Sequence, residues 1–301
     1  MTREPAYLRG VAFCAAAGML ASFNGILFRG VESAEDWQVV FWRSGTMAVV
    51  LFALLAVRKR GRVVAAFRAA GWPAIVAGLT LGASNFTFSL AMIHTTVANA
   101  LFINAGAPFL AAILSWFLLK ESVAMATVVA MIVAFAGVGV MVVDGLVGGE
   151  LFGNAMAVAA AITYACFAVA LRGGRGADML PAVVIGGVFS ASVAFFVEQG
   201  AVFVSWHDGA MSVGMGLFTM STSFALFTAG ARYVAAAPAI LLAQMEVVFG
   251  PIWVLILFSE VPSTLSLIGG ALVLSAIVGH AAWSMKRGGT EAPPVPPPLM
   301  D

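Results

Sequence analysis

The chain has 301 residues, 62% of them hydrophobic and 10% charged, with 15 basic and 14 acidic side chains and a formal charge of +1. A water-soluble domain of this length carries about a quarter of its residues as charges, so the composition excludes one. Apolar segments of about 20 residues recur instead, each long enough to cross the hydrocarbon of a bilayer as a helix. The alternation of a membrane β-barrel is absent.

Ten helices are predicted, in chain order. The first, 9–29, carries Cys14 and Asn24, lacks a small-residue cleavage site and is read as a retained span, not a signal peptide. The second, 36–57, holds Arg43 in the run Val39-Val40-Phe41-Trp42-Arg43-Ser44-Gly45-Thr46. A cation inside such a stretch must face protein, water or a partner, because lipid holds it poorly. The third, 71–92, contains Gly78 and Gly82 in GxxxG spacing, Asn85 and Phe86, and the fourth, 96–119, contains Asn99, Asn104 and Pro108. The joint Lys120-Glu121 leads to the fifth, 123–143. The sixth, 151–171, holds Tyr164 and Cys166, and the seventh, 179–199, holds Gly186-Gly187. The eighth, 210–230, brings Gly214, Gly216, Phe218, Ser221, Thr222, Phe224 and Thr228. The ninth, 235–258, carries Pro238, Gln244, Glu246 and Pro251, and the tenth, 262–283, carries Gly269-Gly270. The two cysteines lie inside apolar segments and read as core residues. Residues 288–301, with Pro293, Pro294, Pro296, Pro297 and Pro298, read as a disordered tail.

Placing the N-terminus in the cytoplasm puts 13 of the 15 basic residues on that side, with Arg29 outside and Arg43 in the membrane. An odd number of spans would put the cationic C-terminal end outside, so ten fits better than nine or eleven. Both termini are then cytoplasmic, and a bacterial inner membrane is the expected location. A shift of 139 residues lays Glu260 over Glu121 and Ile256-Leu257-Phe258-Ser259 over Phe117-Leu118-Leu119-Lys120. Five spans per half is an odd number, so a shared fold would be inverted between halves, as in many transporters. The alternative is a glutamate capping a helix start near any interface.

Phe41-Trp42-Arg43, Asn104-Ala105-Gly106-Ala107-Pro108 followed by Glu121, and Glu246-Val247-Val248-Phe249-Gly250-Pro251 with Glu260 carry a resemblance. In their order and spacing the chain resembles the EamA-type branch of the drug/metabolite transporter superfamily. The resemblance implies an all-α polytopic protein of ten transmembrane helices in two inverted five-helix repeats, 1–145 and 146–287. It also implies a central cavity lined mainly by the third, fourth, eighth and ninth spans with help from the first, second, sixth and seventh, and with the fifth and tenth peripheral. Relatives of this type move amino acids, other metabolites, nucleotide sugars or drugs. Two departures stand out: Gly250 intervenes between Phe249 and Pro251, and no basic residue near Ala182 matches Arg43.

Arg43 has three readings: a cavity group receiving a carboxylate, an internal pair with Glu246, or a snorkelling side chain. Glu246 is a coupling or gating candidate with Gln244, and Pro108, Pro238 and Pro251 can bend helices or free carbonyls. Pro238 can equally start a helix. Asn24, Asn85, Asn99 and Ser221 are cavity donors or helix–helix hydrogen bonds. Trp42, Tyr164 and Phe218 can stack on cargo, whereas Trp72, Trp206 and Trp283 fit an interface belt.

No P-loop, no Cys/His metal cluster and no catalytic constellation is present in the sequence, so no cofactor, no metal and no enzyme activity is expected. The basic run Arg58–Arg68 sits beside a span, which favours topology and anionic lipid over nucleic acid. The expected function is a secondary transporter exporting small metabolites, amino acids with apolar or aromatic side chains foremost, by alternating access. Its partners are a small-molecule substrate and membrane lipids, with a homo-oligomer left open. The alternatives are a membrane-embedded enzyme and a structural or receptor-like membrane protein.

Overall fold

The computed structural model describes residues 3–119, 124–173, 178–230, 233 and 242–286. The calls on Lys120, Glu121, Arg175, Arg232, Pro238, Arg287 and the tail lie outside these residues. All regular elements among the described residues are helices, and no strand occurs among them. Among the described residues nine stretches are long and apolar enough to cross a membrane, and a tenth apolar helix, Met245–Phe258, is shorter.

Span 1 is α1 (Arg3–Ser22) continued by the short α2 (Asn24–Arg29). Spans 2 and 3 are α3 (Asp36–Arg58) and α4 (Val63–His94), and span 4 is α5 (Val97–Asn104) plus α6 (Ala107–Leu119). Spans 5, 6 and 7 are α7 (Met125–Gly148), α8 (Leu151–Gly173) and α9 (Leu180–Val197). Span 8 runs through α10 (Trp206–Gly214), a π-helical segment Met215–Thr222 and α11 (Ser223–Gly230). Span 9 contains α12 (Met245–Phe258), and span 10 is α13 (Thr264–Lys286).

Helix interruptions follow local chemistry. Gly71, at φ 59°, kinks α4 where the third span was expected to begin, so residues 63–70 add a helical piece at the basic end of the bundle. Left-handed backbone favours glycine, and Pro73 fits the start of the segment that follows. Span 4 breaks at Ala105–Gly106, leaving Pro108 as the second residue of α6, where its missing N–H costs nothing. Span 1 breaks at Phe23, whose ring stacks on Trp253 at 5.7 Å while the Trp253 indole donates to Ser22 Oγ at 3.0 Å.

The helices pack with a regular offset. α3 packs on α9, α5 on α12 and α7 on α13, each joining a span to the one five places later. The contact of α4 with α8 recurs as that of α11 with α1, and α4 with α9 recurs as α10 and the π segment with α3. The contacts of α5 and α6 with α8 recur as those of α12 with α2 and α1. The GxxxG pair is used here: a Cβ on Gly82 would fall 2.6 Å from the Gly186 carbonyl oxygen, so α4 and α9 touch backbone to backbone.

One end of the bundle carries Arg58, Lys59, Arg60 and Arg62, and the other carries Glu32, Asp36, Glu150, Asp208 and Glu260. At the acidic end the turns are built by capping. Glu35 and Gln38 form a capping box on α3, Thr96 caps α5, and Ser205 caps α10. Asp208 is inaccessible to solvent and accepts from the Glu32 amide at 2.8 Å, the Ser33 amide at 3.2 Å and the Ser33 hydroxyl at 2.6 Å. It ties the segment after span 1 to the start of span 8. Asp208→Asn removes the charge from these bonds and is expected to cost roughly 1–2 kcal/mol, read as a lower melting temperature in detergent.

At the basic end Lys59 pairs with Asp178 at 3.0 Å. Partial burial works to raise the Asp178 carboxyl, but the bonds from Lys59 and the Leu180 amide, with the charges of Lys59 and Arg58, outweigh it and hold it below its ordinary value. The contact therefore stabilises above the ordinary carboxylate range and is lost as pH falls through the lowered value.

Candidate substrate site

Arg43 lies seven residues into α3, about 10 Å along the helix from its acidic end and about 22 Å from its basic end. It is only 3% exposed. Its side chain is held inside the bundle. Its Nη1 donates to the Ser89 hydroxyl at 2.7 Å and to the Asn85 carbonyl at 3.3 Å, both on α4. The guanidinium carbon lies 5.3 Å from the centre of the Phe28 ring and 6.0 Å from that of Phe88. Two aromatic faces soften the desolvation of a cation, each contributing about 1–2 kcal/mol in a buried setting. Arg43 Nε is enclosed without a hydrogen-bond partner among the described residues, and so is Asn85 Nδ2.

Glu246 sits in the first turn of α12, half-buried, where the helix amides favour a carboxylate. It lies within electrostatic reach of both Arg43 and Tyr164. No ion pair within 4.0 Å joins it to Arg43 among the described residues. Tyr164 on α8 is 43% exposed and packs against Phe167. Gln244 is the N-cap residue of α12 and is half-buried. Pro251 lies inside α12, beside Gly250, where an added Cβ would meet Leu101 Cδ1 at 2.5 Å. The extra glycine of the second half thus lets α12 approach α5.

Asn24, at the start of α2, accepts from the Thr219 hydroxyl at 2.9 Å and joins span 1 to the π segment of span 8. Ser221 spends its hydroxyl on the Gly216 carbonyl at 2.8 Å, five residues back, as π-helical geometry allows. Phe218 is 54% exposed. Two sequence candidates stand apart from Arg43, at the acidic end. Asn99 donates to Thr95 Oγ1 and Glu150 Oε2, both at 3.3 Å, and the Trp42 indole donates to the Val202 carbonyl at 2.8 Å.

The structure therefore joins Arg43 to the Asn85 backbone carbonyl and the Ser89 hydroxyl by direct bonding, with Glu246 within electrostatic reach of Arg43. Ser89, Phe28, Phe88 and Thr219 also belong here and were not among the sequence candidates. Ser89 follows Asn85 by four residues and so shares its helix face, a detectable signal. Thr219 was hidden, because the π segment shifts the phase of every side chain after Gly214.

One cavity borders this group through Phe28, and a second lies at the far, basic end of the bundle. One of about 200 Å³ at the acidic end has Phe28 and Val39 among its walls, together with Arg29, Glu32 and Asp36. One of about 230 Å³ at the basic end is lined by Leu54, Arg58, Asp178, Val183, Phe224 and Thr228, among others. Among the described residues no group of three or more His, Cys, Asp or Glu side chains is placed to hold a metal ion.

A crystal structure of another protein is similar to this chain with a TM-score of 0.62 at 19% identity, covering 95% of this chain and 98% of that one. This likeness is one of fold. No match was found among curated proteins. Residues 8–143 match the EamA-like transporter family, a span that contains Arg43, Asn85 and the broken fourth helix. The first part of the chain is thus similar to the EamA-like transporter family, part of the drug/metabolite transporter superfamily.

Proposed function

We propose that the protein is a secondary carrier that exports small carboxylate-bearing metabolites, amino acids with apolar or aromatic side chains foremost, across a bacterial inner membrane by alternating access. The observation that carries this reading is the pair of enclosed, unpartnered donors on one interhelical contact, Arg43 Nε and Asn85 Nδ2. A buried guanidinium with a free donor is poorly compensated, and a cargo carboxylate supplies the missing acceptor. Phe28 and Phe88 offer apolar surface there, and Tyr164 adds to it on the side of Glu246. Glu246 is the counterpart for a cargo ammonium or a carried proton, and Gln244, Pro251 and Pro238 belong to its gating segment. Asn24, Ser221 and Phe218 complete the wall from spans 1 and 8, while Trp42 and Asn99 line the path at the acidic end and Pro108 marks the flexible joint of span 4.

The five-span offset in helix packing supports two inverted repeats, 1–145 and 146–287. Such repeats rock about a site between them. The cavities at both ends are in keeping with access from each side. The basic end is the cytoplasmic one, with both termini there.

The test is counterflow in proteoliposomes loaded with unlabelled amino acid, with labelled amino acids outside and no nucleotide. Accumulation of labelled apolar or aromatic amino acids is expected. Folded protein that moves none of them across a broad panel would contradict the cargo assignment.

A further inference from the structure

We propose that α2 is the gate at the acidic end, latched by Arg29 and Glu260 and linked to the cargo site through Phe28. This rests on the transport reading and adds residues to it. Arg29 uses all three of its nitrogens. Nε pairs with Glu260 Oε2 at 2.5 Å, Nη1 donates to the Met92 carbonyl at 2.8 Å, and Nη2 donates to the Thr95 carbonyl at 2.7 Å. Glu260 Oε1 in turn accepts from the Val97 amide at 2.7 Å. One guanidinium thus fastens the end of span 1 to the end of span 3, the start of span 4 and the turn between spans 9 and 10. These are the connections that must separate for a site between the halves to open at this end.

The latch sits on a short lever. α2 has six residues and is set off from α1 by the break at Phe23. Its first residue, Asn24, holds the π segment through Thr219, and its last, Arg29, is the latch. Between them, Phe28 forms a wall of the acidic-end cavity and places its ring on the Arg43 guanidinium. A carboxylate arriving at Arg43 competes with that ring for the cation, and any shift of Phe28 is passed to the next residue, Arg29. Loading of the site and release of the latch are thereby coupled through neighbouring residues of one helical turn.

The test reads access without any cargo. Val39, which lines the cavity with Phe28 and is 2% exposed, is replaced by Cys in a C14A/C166A background. The rate of maleimide labelling is measured on the full chain in detergent, which removes any dependence on membrane orientation. E260Q removes the charge of the latch, and R29K keeps the charge but loses the simultaneous bonds. Labelling is expected to rise about tenfold in E260Q, as loss of one charge-assisted bond implies, and by a smaller factor in R29K. Parent-like labelling in whichever of the two variants elutes as folded protein overturns the proposal. Lost counterflow with unchanged labelling removes the latch and leaves the carrier reading intact; unchanged counterflow with faster labelling supports a latch that does not limit turnover.

Discussion

Replacing Arg43 by Gln lowers counterflow of carboxylate-bearing cargo by about 10- to 100-fold while leaving folded yield near that of the parent. The magnitude is that of a charge-assisted hydrogen bond, about 1.5–3 kcal/mol. The yield is spared because a buried cation contributes little net stability, and a shorter neutral side chain avoids its desolvation. R43K separates charge from geometry. It keeps the cation but has no Nε-H, so it is expected to retain maximal flux with KM raised several-fold. A role in packing alone predicts the opposite pattern, with yield and melting temperature falling in both variants and the KM of the surviving protein unmoved.

Gly216→Val is expected to give the largest loss of stability. A Cβ at position 216 would overlap the Arg43 carbonyl oxygen and stand 2.6 Å from Thr46 Cβ. Backbone cannot yield as a flexible side chain does, so α3 and span 8 must separate. Overpacking of this kind costs about 2–3 kcal/mol, a fall of roughly 5–10 °C in apparent melting temperature for a chain of this size. Because the displaced carbonyl belongs to Arg43, transport should fall with stability. G216A tests the same clash with less bulk and is expected to fall between parent and valine variant. A G216V protein with unchanged melting temperature would contradict the close approach.

Much of this architecture was written in hydrophobicity and charge. The membrane-spanning helices follow from apolar length, and most described boundaries held within a few residues; the helices of the first and third spans begin earlier than expected, at Arg3 and at Val63 across the Gly71 kink, and the expected start of the ninth span lies outside the described residues. The GxxxG spacing of Gly78 and Gly82 marked a close helix contact without naming its partner, α9. Arg43 was conspicuous as a lone cation in a greasy run. What surrounds it was less legible, because Phe28 and Phe88 are two among 23 phenylalanines and nothing local separates them from lipid-facing ones. Arg29 was visible only as an exception to the charge asymmetry. Its partners lie 63, 66 and 231 residues away in the chain, so its function depends on tertiary placement. Asn99 and Trp42 fit a polar or aromatic cavity wall by composition, yet the structure bonds both to acidic-end segments.

The central claim, that Arg43 and Asn85 together receive a carboxylate, is tested most directly by comparing binding of an amino acid with that of its carboxamide to purified protein. The parent is expected to favour the acid by at least about tenfold, as one charge-assisted bond implies. That preference should vanish in R43Q and shrink in N85L, while the affinity for the carboxamide stays nearly constant across all three proteins. An undiminished preference for the acid in folded R43Q would mean that the carboxylate is held elsewhere.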